Sequence, residues 1–162
     1  MRLGLIRNGY EYAFGRYNRT SAINQVDFAQ IGSNGALVNA LSSCPDGGAL
    51  TGGTWCSTSP LLSNTADGGT ATHNGYIYLI GVGSTTAVDY APINSNGTLG
   101  TWTATAQLTL ATYGSSSEVY EGYVLAGYDD GTNYAVDYAA INFVPEDFKV
   151  QFCTETIPAP SN

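Results

Sequence analysis

The sequence predicts an all-β fold made of three four-stranded antiparallel units. Three observations carry that expectation. A turn followed by tyrosine recurs as Asn8-Gly9-Tyr10, Asn74-Gly75-Tyr76 and Glu121-Gly122-Tyr123. A Val-Asp-aromatic-Ala run follows each: Val26-Asp27-Phe28-Ala29, Val88-Asp89-Tyr90-Ala91 and Val136-Asp137-Tyr138-Ala139. The first two units then add Ser-Asn-Gly and Gly-Thr-Trp, as Ser33-Asn34-Gly35 with Gly53-Thr54-Trp55 and Ser95-Asn96-Gly97 with Gly100-Thr101-Trp102.

The spacing makes this a repeat. Gly75 to Gly122 is 47 residues, whereas Gly9 to Gly75 is 66. Asp27 to Gly35 and Asp89 to Gly97 are both 8 residues, and Trp55 to Gly75 and Trp102 to Gly122 are both 20. The excess of 19 therefore resolves into two loop insertions. One adds 4 residues between Gly9 and Asp27, and the other adds 15 between Gly35 and Trp55.

Each unit reads as four strands. In the second, the first strand covers Gly69 to His73 and turns at Asn74-Gly75, a dipeptide suited to the positive φ angles of a type I′ hairpin. The next covers Tyr76 to Gly81, and a variable loop leads to the third, Val88 to Ile93. Side chains alternate along a strand, so Val88 and Tyr90 share one face while Asp89 lies on the other. A second Asn-Gly turn leads to the last strand, Thr98 to Thr105. In the third unit the last strand is expected at Phe148 to Phe152, an alternating run after Pro145.

A repeated four-stranded unit of this size resembles a propeller blade. The glycines, tyrosine and tryptophan at Gly81, Gly83, Tyr90 and Trp102 resemble the kelch-type β-propeller. The first unit offers Gly15, Phe28 and Trp55; the third offers Gly127 and Tyr138 and no tryptophan. The chain is also similar to the Asn-Gly-rich kelch-like repeats of bacterial surface proteins. The resemblance implies one propeller region over 1–162, with blades at about 3–62, 68–110 and 115–152 and a tail at 153–162. Three blades imply a partial propeller, or one completed by oligomerisation, because closed rings have about four to eight. The fold says little about function.

Composition narrows the function. The net charge is −8, and four of the five basic residues (Arg2, Arg7, Arg16 and Arg19) fall in the first 19 positions. From position 20 onward there are 12 acidic residues and one basic, so no basic footprint for nucleic acid exists. The apolar runs, such as Tyr76 to Ile80, fall far short of the roughly 18 residues of a membrane-spanning helix. Few lysines, many Thr, Asn and Tyr, and cysteines flanking a Gly-rich stretch point to an extracellular or cell-surface protein. Met1 runs almost directly into a strand pattern without a leader layout, so the expectation is a processed leader or an excerpt of a longer chain.

No catalytic constellation stands out. His73 is the only histidine, and it precedes a hairpin turn. The two-histidine copper site of the propeller enzyme galactose oxidase therefore does not transfer. The Asp-box of sialidases does not match either, since Gly97 and Leu99 stand where Asp and Gly belong. Asp27, Asp89 and Asp137 recur in every unit, as a structural group would, accepting hydrogen bonds from a neighbouring turn. Tyr76, Tyr78, Tyr90, Tyr123 and Tyr138 alternate in strands and are expected to pack between blades. Tyr17, Tyr113, Tyr128 and Tyr134 lie in or beside loops and are the candidate ligand contacts. Asp129 and Asp130 sit in an oxygen-rich loop, the one candidate Ca²⁺ position; no other cofactor is expected. Asn18-Arg19-Thr20 and Asn96-Gly97-Thr98 are formal glycosylation sequons, the second inside a repeated turn.

The leading expectation is a non-enzymatic extracellular module for binding, adhesion or surface assembly. It would associate with further copies, with neighbouring blades of a longer chain, or with glycans or surface proteins. The alternatives are a lectin and a fragment of a larger carbohydrate-active propeller enzyme. Cys44 and Cys56 flank the Pro45-Asp46-Gly47-Gly48 turn and are expected to form a disulfide worth about 3 kcal/mol on the chain-entropy model. Intact-mass alkylation of the denatured, unreduced chain should modify at most one cysteine, Cys153, which is left free or paired with another chain; modification of two or three would exclude the bridge.

Overall fold

The computed structural model describes residues 3–38, 43–45, 54–111, 115–129, 134–141 and 153–156. Among the described residues every regular element is a strand. Sheet 1 orders β1 (Leu3–Arg7), β2 (Tyr10–Tyr17), β3 (Ala22–Gln30) and β4 (Cys56–Thr58). Sheet 2 orders β5 (Gly69–His73), β6 (Tyr76–Ile80), β7 (Val88–Pro92) and β8 (Thr103–Ala104). Sheet 3 orders β9 (Ser116–Tyr120), β10 (Tyr123–Asp129), β11 (Tyr134–Ala140) and β12 (Cys153–Thr156). All pairings within the sheets are antiparallel, and each sheet is a meander in chain order.

The first hairpin of every sheet turns on two residues with positive φ: Asn8-Gly9, Asn74-Gly75 and Glu121-Gly122. That geometry matches the twist of the flanking strands. Each turn is tied to the end of the third strand by one repeated bond. Ile31 N–H donates to Gly9 O, Ile93 N–H to Gly75 O and Ile141 N–H to Gly122 O, at 2.7–2.8 Å.

Two outer strands differ from the sequence reading. In sheet 2, β8 holds two residues rather than the eight expected from Thr98 to Thr105. Gly100 N–H donates to Pro92 O at 2.9 Å, just as Val38 N–H donates to Gln30 O at 2.8 Å in sheet 1, where the outer strand is also short. In both sheets an isolated bridge, Ile93–Leu99 or Ile31–Leu37, stands apart from the outer-strand ladder. In sheet 3 the outer strand is Cys153–Thr156, a segment that the sequence pattern assigns to the tail. The Phe148 to Phe152 segment lies outside the described residues.

The core has two layers. Tyr12, Phe14, Val26 and Phe28 of sheet 1 pack against Ile77, Leu79 and Ala91 of sheet 2. Tyr78, Ile80 and Val88, on the other face of sheet 2, pack against Val124 and Ala126 of sheet 3. Trp102 closes the first layer. Its ring meets Phe14 edge-on at 6.1 Å, and its Nε1–H donates to Ser59 O at 3.1 Å. The Cys44–Cys56 disulfide joins the same layer, both cysteines buried. Trp102→Ala removes the large ring and its hydrogen bond, so it should cost about 3–5 kcal/mol in equilibrium urea unfolding.

Candidate functional site

Alternation along the Val-Asp-aromatic-Ala strand gives each sheet two unlike faces. Valine and the aromatic residue lie on one, aspartate and alanine on the other. The aromatic face of sheet 1 meets the aliphatic face of sheet 2, and sheets 2 and 3 repeat that arrangement. Asp89 thus faces sheet 1 and Asp137 faces sheet 2, while Asp27 is buried on the side of sheet 1 turned away from sheet 2; the three are not gathered in a cleft.

Their partners differ. Asp27 accepts from Gln25 Nε2 at 2.7 Å and from Ser57 Oγ at 2.9 Å. Asp137 accepts from the N–H of Thr109 at 2.8 Å and from its hydroxyl at 3.0 Å. Asp89 has no side-chain hydrogen bond among the described residues, and burial raises its pKa above the usual 3.8. The register explains the contrast. Ser57, the partner of Asp27, stands opposite it in the register, whereas Ala104 stands opposite Asp89; Asp137 is served instead by Thr109, from the segment between sheets 2 and 3. The sequence reading of these residues as hydrogen-bonded structural groups therefore describes Asp27 and Asp137 but not Asp89.

The buried tyrosines are hydrogen-bonding groups that stay protonated. Burial, with Tyr10 beside it, pushes Tyr12 up to about 12. Burial, with Tyr90 and Tyr76 nearby, does the same to Tyr78. Tyr12 O–H donates across the sheet boundary to Gly97 O at 2.9 Å. Gly97 has φ +85°, and a Cβ there would come within 2.5 Å of the Tyr10 ring. The Asn-Gly turn of sheet 2 thus seats on two tyrosines of sheet 1.

The candidate ligand-contact tyrosines separate. Tyr17 and Tyr134 are exposed, at the β2–β3 end of sheet 1 and the topologically equivalent β10–β11 end of sheet 3. Tyr17 O–H donates to Thr20 O at 3.0 Å, within its own turn. Tyr128 is a correction. It lies in β10 and is buried, its hydroxyl 3.2 Å from the Thr109 hydroxyl, so its ring is not open to a ligand. Val124, Ala126 and Tyr128 share one face of β10, a signal that counting by twos along the strand contains. Tyr113 and Asp130 lie outside the described residues. Asp129 ends β10 at the surface, and among the described residues no group of three His, Cys, Asp or Glu side chains is placed to hold a metal.

An open surface lies on sheet 3, the last of the three units. Among the described residues, no sheet lies over the aromatic face of sheet 3. Tyr123 is 46% exposed, Tyr138 39% and Tyr120 65%. Tyr123 and Tyr138 contact each other edge-on at 6.4 Å. Beside them a concavity of about 540 Å³ is lined by Ser116, Ser117, Glu118, Tyr120, Leu125, Gly127 and Val136. The exposure corrects the expectation that Tyr123 and Tyr138 are covered by a neighbouring unit.

No family model matches the chain, and no curated protein matches it. Among solved structures it is similar to that of YjhT, with a TM-score of 0.60 and 13% identity. The match covers 94% of this chain and 44% of that one, so the chain spans under half of that solved chain. At this identity the likeness bears on fold alone.

Adding a hydroxyl opposite Asp89 tests the register argument. Burial alone penalises the ionised carboxylate, so in the native chain this contribution to stability is fullest below the ordinary carboxylate pKa and is lost as pH rises through the raised value. Ala104→Ser offers the donor that Ser57 gives Asp27. It should stabilise by about 1 kcal/mol at pH 7 in urea unfolding, and the gain should fade as Asp89 protonates in acid. A gain that is equal at both ends of the pH range would refute the pairing.

Proposed function

We propose that the chain is a kelch-like β-propeller segment that serves as a non-enzymatic extracellular module for binding, adhesion or surface assembly. The observation that carries this reading is the open aromatic face of sheet 3, with Tyr120, Tyr123 and Tyr138 exposed around a concavity. Contiguous apolar and aromatic surface of this kind marks an interaction site. The acidic groups support the same reading. The three repeated aspartates are buried and lie on separate sheets, so they form no paired acid–base set.

The three-sheet meander, with each sheet covering the next, supports the propeller assignment. The Cys44–Cys56 disulfide supports an oxidising compartment outside the cytosol. The module works with neighbouring blades, of a longer chain or of further copies, and its glycan-facing edge is the one carrying Tyr17 and Tyr134.

The purified chain should show no turnover of an aryl-glycoside panel and no galactose oxidation above a heat-denatured control. Turnover that disappears on changing Asp89, Asp129 or Glu118 would overturn the non-enzymatic reading. On a glycan array, binding that Tyr134→Ala and Tyr17→Ala both abolish would make the module a lectin.

A further inference from the structure

We infer that the open aromatic face of sheet 3 is a cation site: Tyr120, Tyr123 and Tyr138 wall a cage for a quaternary ammonium group, with Leu125 as its floor and Glu118 as its counter-charge. This rests on the binding-module reading and names the chemical class of ligand that the face takes.

The strand register brings these side chains together. Tyr120 stands directly opposite Tyr123, and Glu118 and Tyr138 flank Leu125 from the strands on either side. Residues opposite each other in neighbouring strands share one face of the sheet. Tyr123 and Tyr138 meet at 63° with ring centroids 6.4 Å apart, so their faces form a corner rather than a stack. Tyr120, Glu121, Tyr123, Leu125 and Tyr138 line a hollow of about 290 Å³. Tyr120 and Leu125 also line the adjoining concavity of about 540 Å³, where Glu118 stands. The three rings are 39–65% exposed, so a ligand reaches them directly from solvent.

The other two sheets lack this arrangement at the same register. Opposite the first tyrosine of the second strand, sheet 1 carries Arg7 and sheet 2 carries His73, whereas sheet 3 carries Tyr120. Two residues back along that first strand, the apolar Leu5 and Ala71 give way to Glu118. A basic residue is thus lost while a ring and a carboxylate are gained on one strand face. In the second strand Leu125 replaces Tyr12 and Tyr78, and Gly127 replaces Phe14 and Ile80, which opens the space above them. The stretch from Ser115 to Ile141 contains no Lys, Arg or His, so its charges are all negative. A positive ligand complements that field.

The lining also selects among cations. The face of an aromatic ring is the negative side of its quadrupole and attracts a cation within about 6 Å of the ring centre. Primary ammonium and guanidinium groups bring N–H donors that each need an acceptor. Between the rings and Leu125 they would meet mostly carbon, with carboxylates only at Glu118 and Glu121, and would lose water without replacing it. A quaternary ammonium has no N–H to satisfy. Its methyl groups carry the charge against the ring faces and pack on Leu125, while Glu118 supplies the opposite charge from the side.

The test titrates the full chain, with isotopically labelled tyrosine rings, and follows the ring resonances by NMR. The probes are choline and its neutral carbon isostere, in which a tert-butyl group replaces the trimethylammonium. Choline should shift Tyr120, Tyr123 and Tyr138 together and saturate in the millimolar range, while exposed Tyr17 and buried Tyr12 and Tyr78 stay in place. The isostere should bind about tenfold more weakly. Tyr138→Phe keeps the ring face and should keep the affinity. Tyr138→Leu should lower it several-fold, with unchanged Tyr12 and Tyr78 resonances as the mark of an intact fold. Glu118→Gln should weaken choline several-fold and remove most of the salt dependence of its binding. Equal binding of the isostere would overturn the inference, as would the lack of any saturable shift. So would tighter binding of methylammonium or methylguanidinium than of tetramethylammonium. Each of these failures removes the cation site alone, and the turnover and glycan-array tests judge the broader reading separately.

Discussion

A four-stranded sheet of five-residue strands has two faces and too few residues to bury either one by itself. Everything in this chain follows from how those faces are made unlike and then matched. The period of two along each strand sends valine and the aromatic residue one way, and aspartate and alanine the other. Aromatic rows then fit only against aliphatic ones. Stacking acquires a direction: sheet 1 into sheet 2, sheet 2 into sheet 3. Polar contacts run along the same boundary. Tyr12 reaches Gly97, Thr58 Oγ1 receives Leu99 N–H at 2.8 Å, and Ser115 Oγ donates to Ile80 O at 2.9 Å.

The aspartates show how such a boundary tolerates charge. A buried carboxylate is costly unless donors surround it. Ser57 of the adjoining strand gives its hydroxyl to Asp27, and Thr109, in the segment joining sheets 2 and 3, gives its N–H and hydroxyl to Asp137. Asp89 has an alanine opposite it and bears the consequence as a raised pKa. The same landmark residue therefore has three different surroundings, and a repeated residue does not guarantee a repeated interaction.

Features set by short stretches of chain were legible in the sequence. The hairpin turns are Asn-Gly or Glu-Gly pairs at positive φ, and β5 begins and ends at the residues the pattern gives. The Cys44–Cys56 bridge followed from two cysteines on either side of a strong turn. Features decided across strands were not legible. The shortness of β8 and the pairing of Cys153–Thr156 depend on where the chain returns to β7 and to β11. Tyr128 and Tyr138 look alike as sequence, yet one is buried and the other exposed. They lie on opposite faces of sheet 3, and only the first face has a neighbour.

The middle position of sheet 2 has a dynamic consequence. An end sheet can open by breaking one interface, whereas sheet 2 must break both of its own, with Trp102 held on one side and Tyr78 on the other. Because local opening costs scale with the contacts that must break, amide protons of β6 and β7 are the last to exchange with solvent. Those of sheet 3, whose aromatic side faces water, exchange sooner. The chain therefore comes apart from its ends inward, and the middle sheet survives only as long as at least one neighbour stays in place.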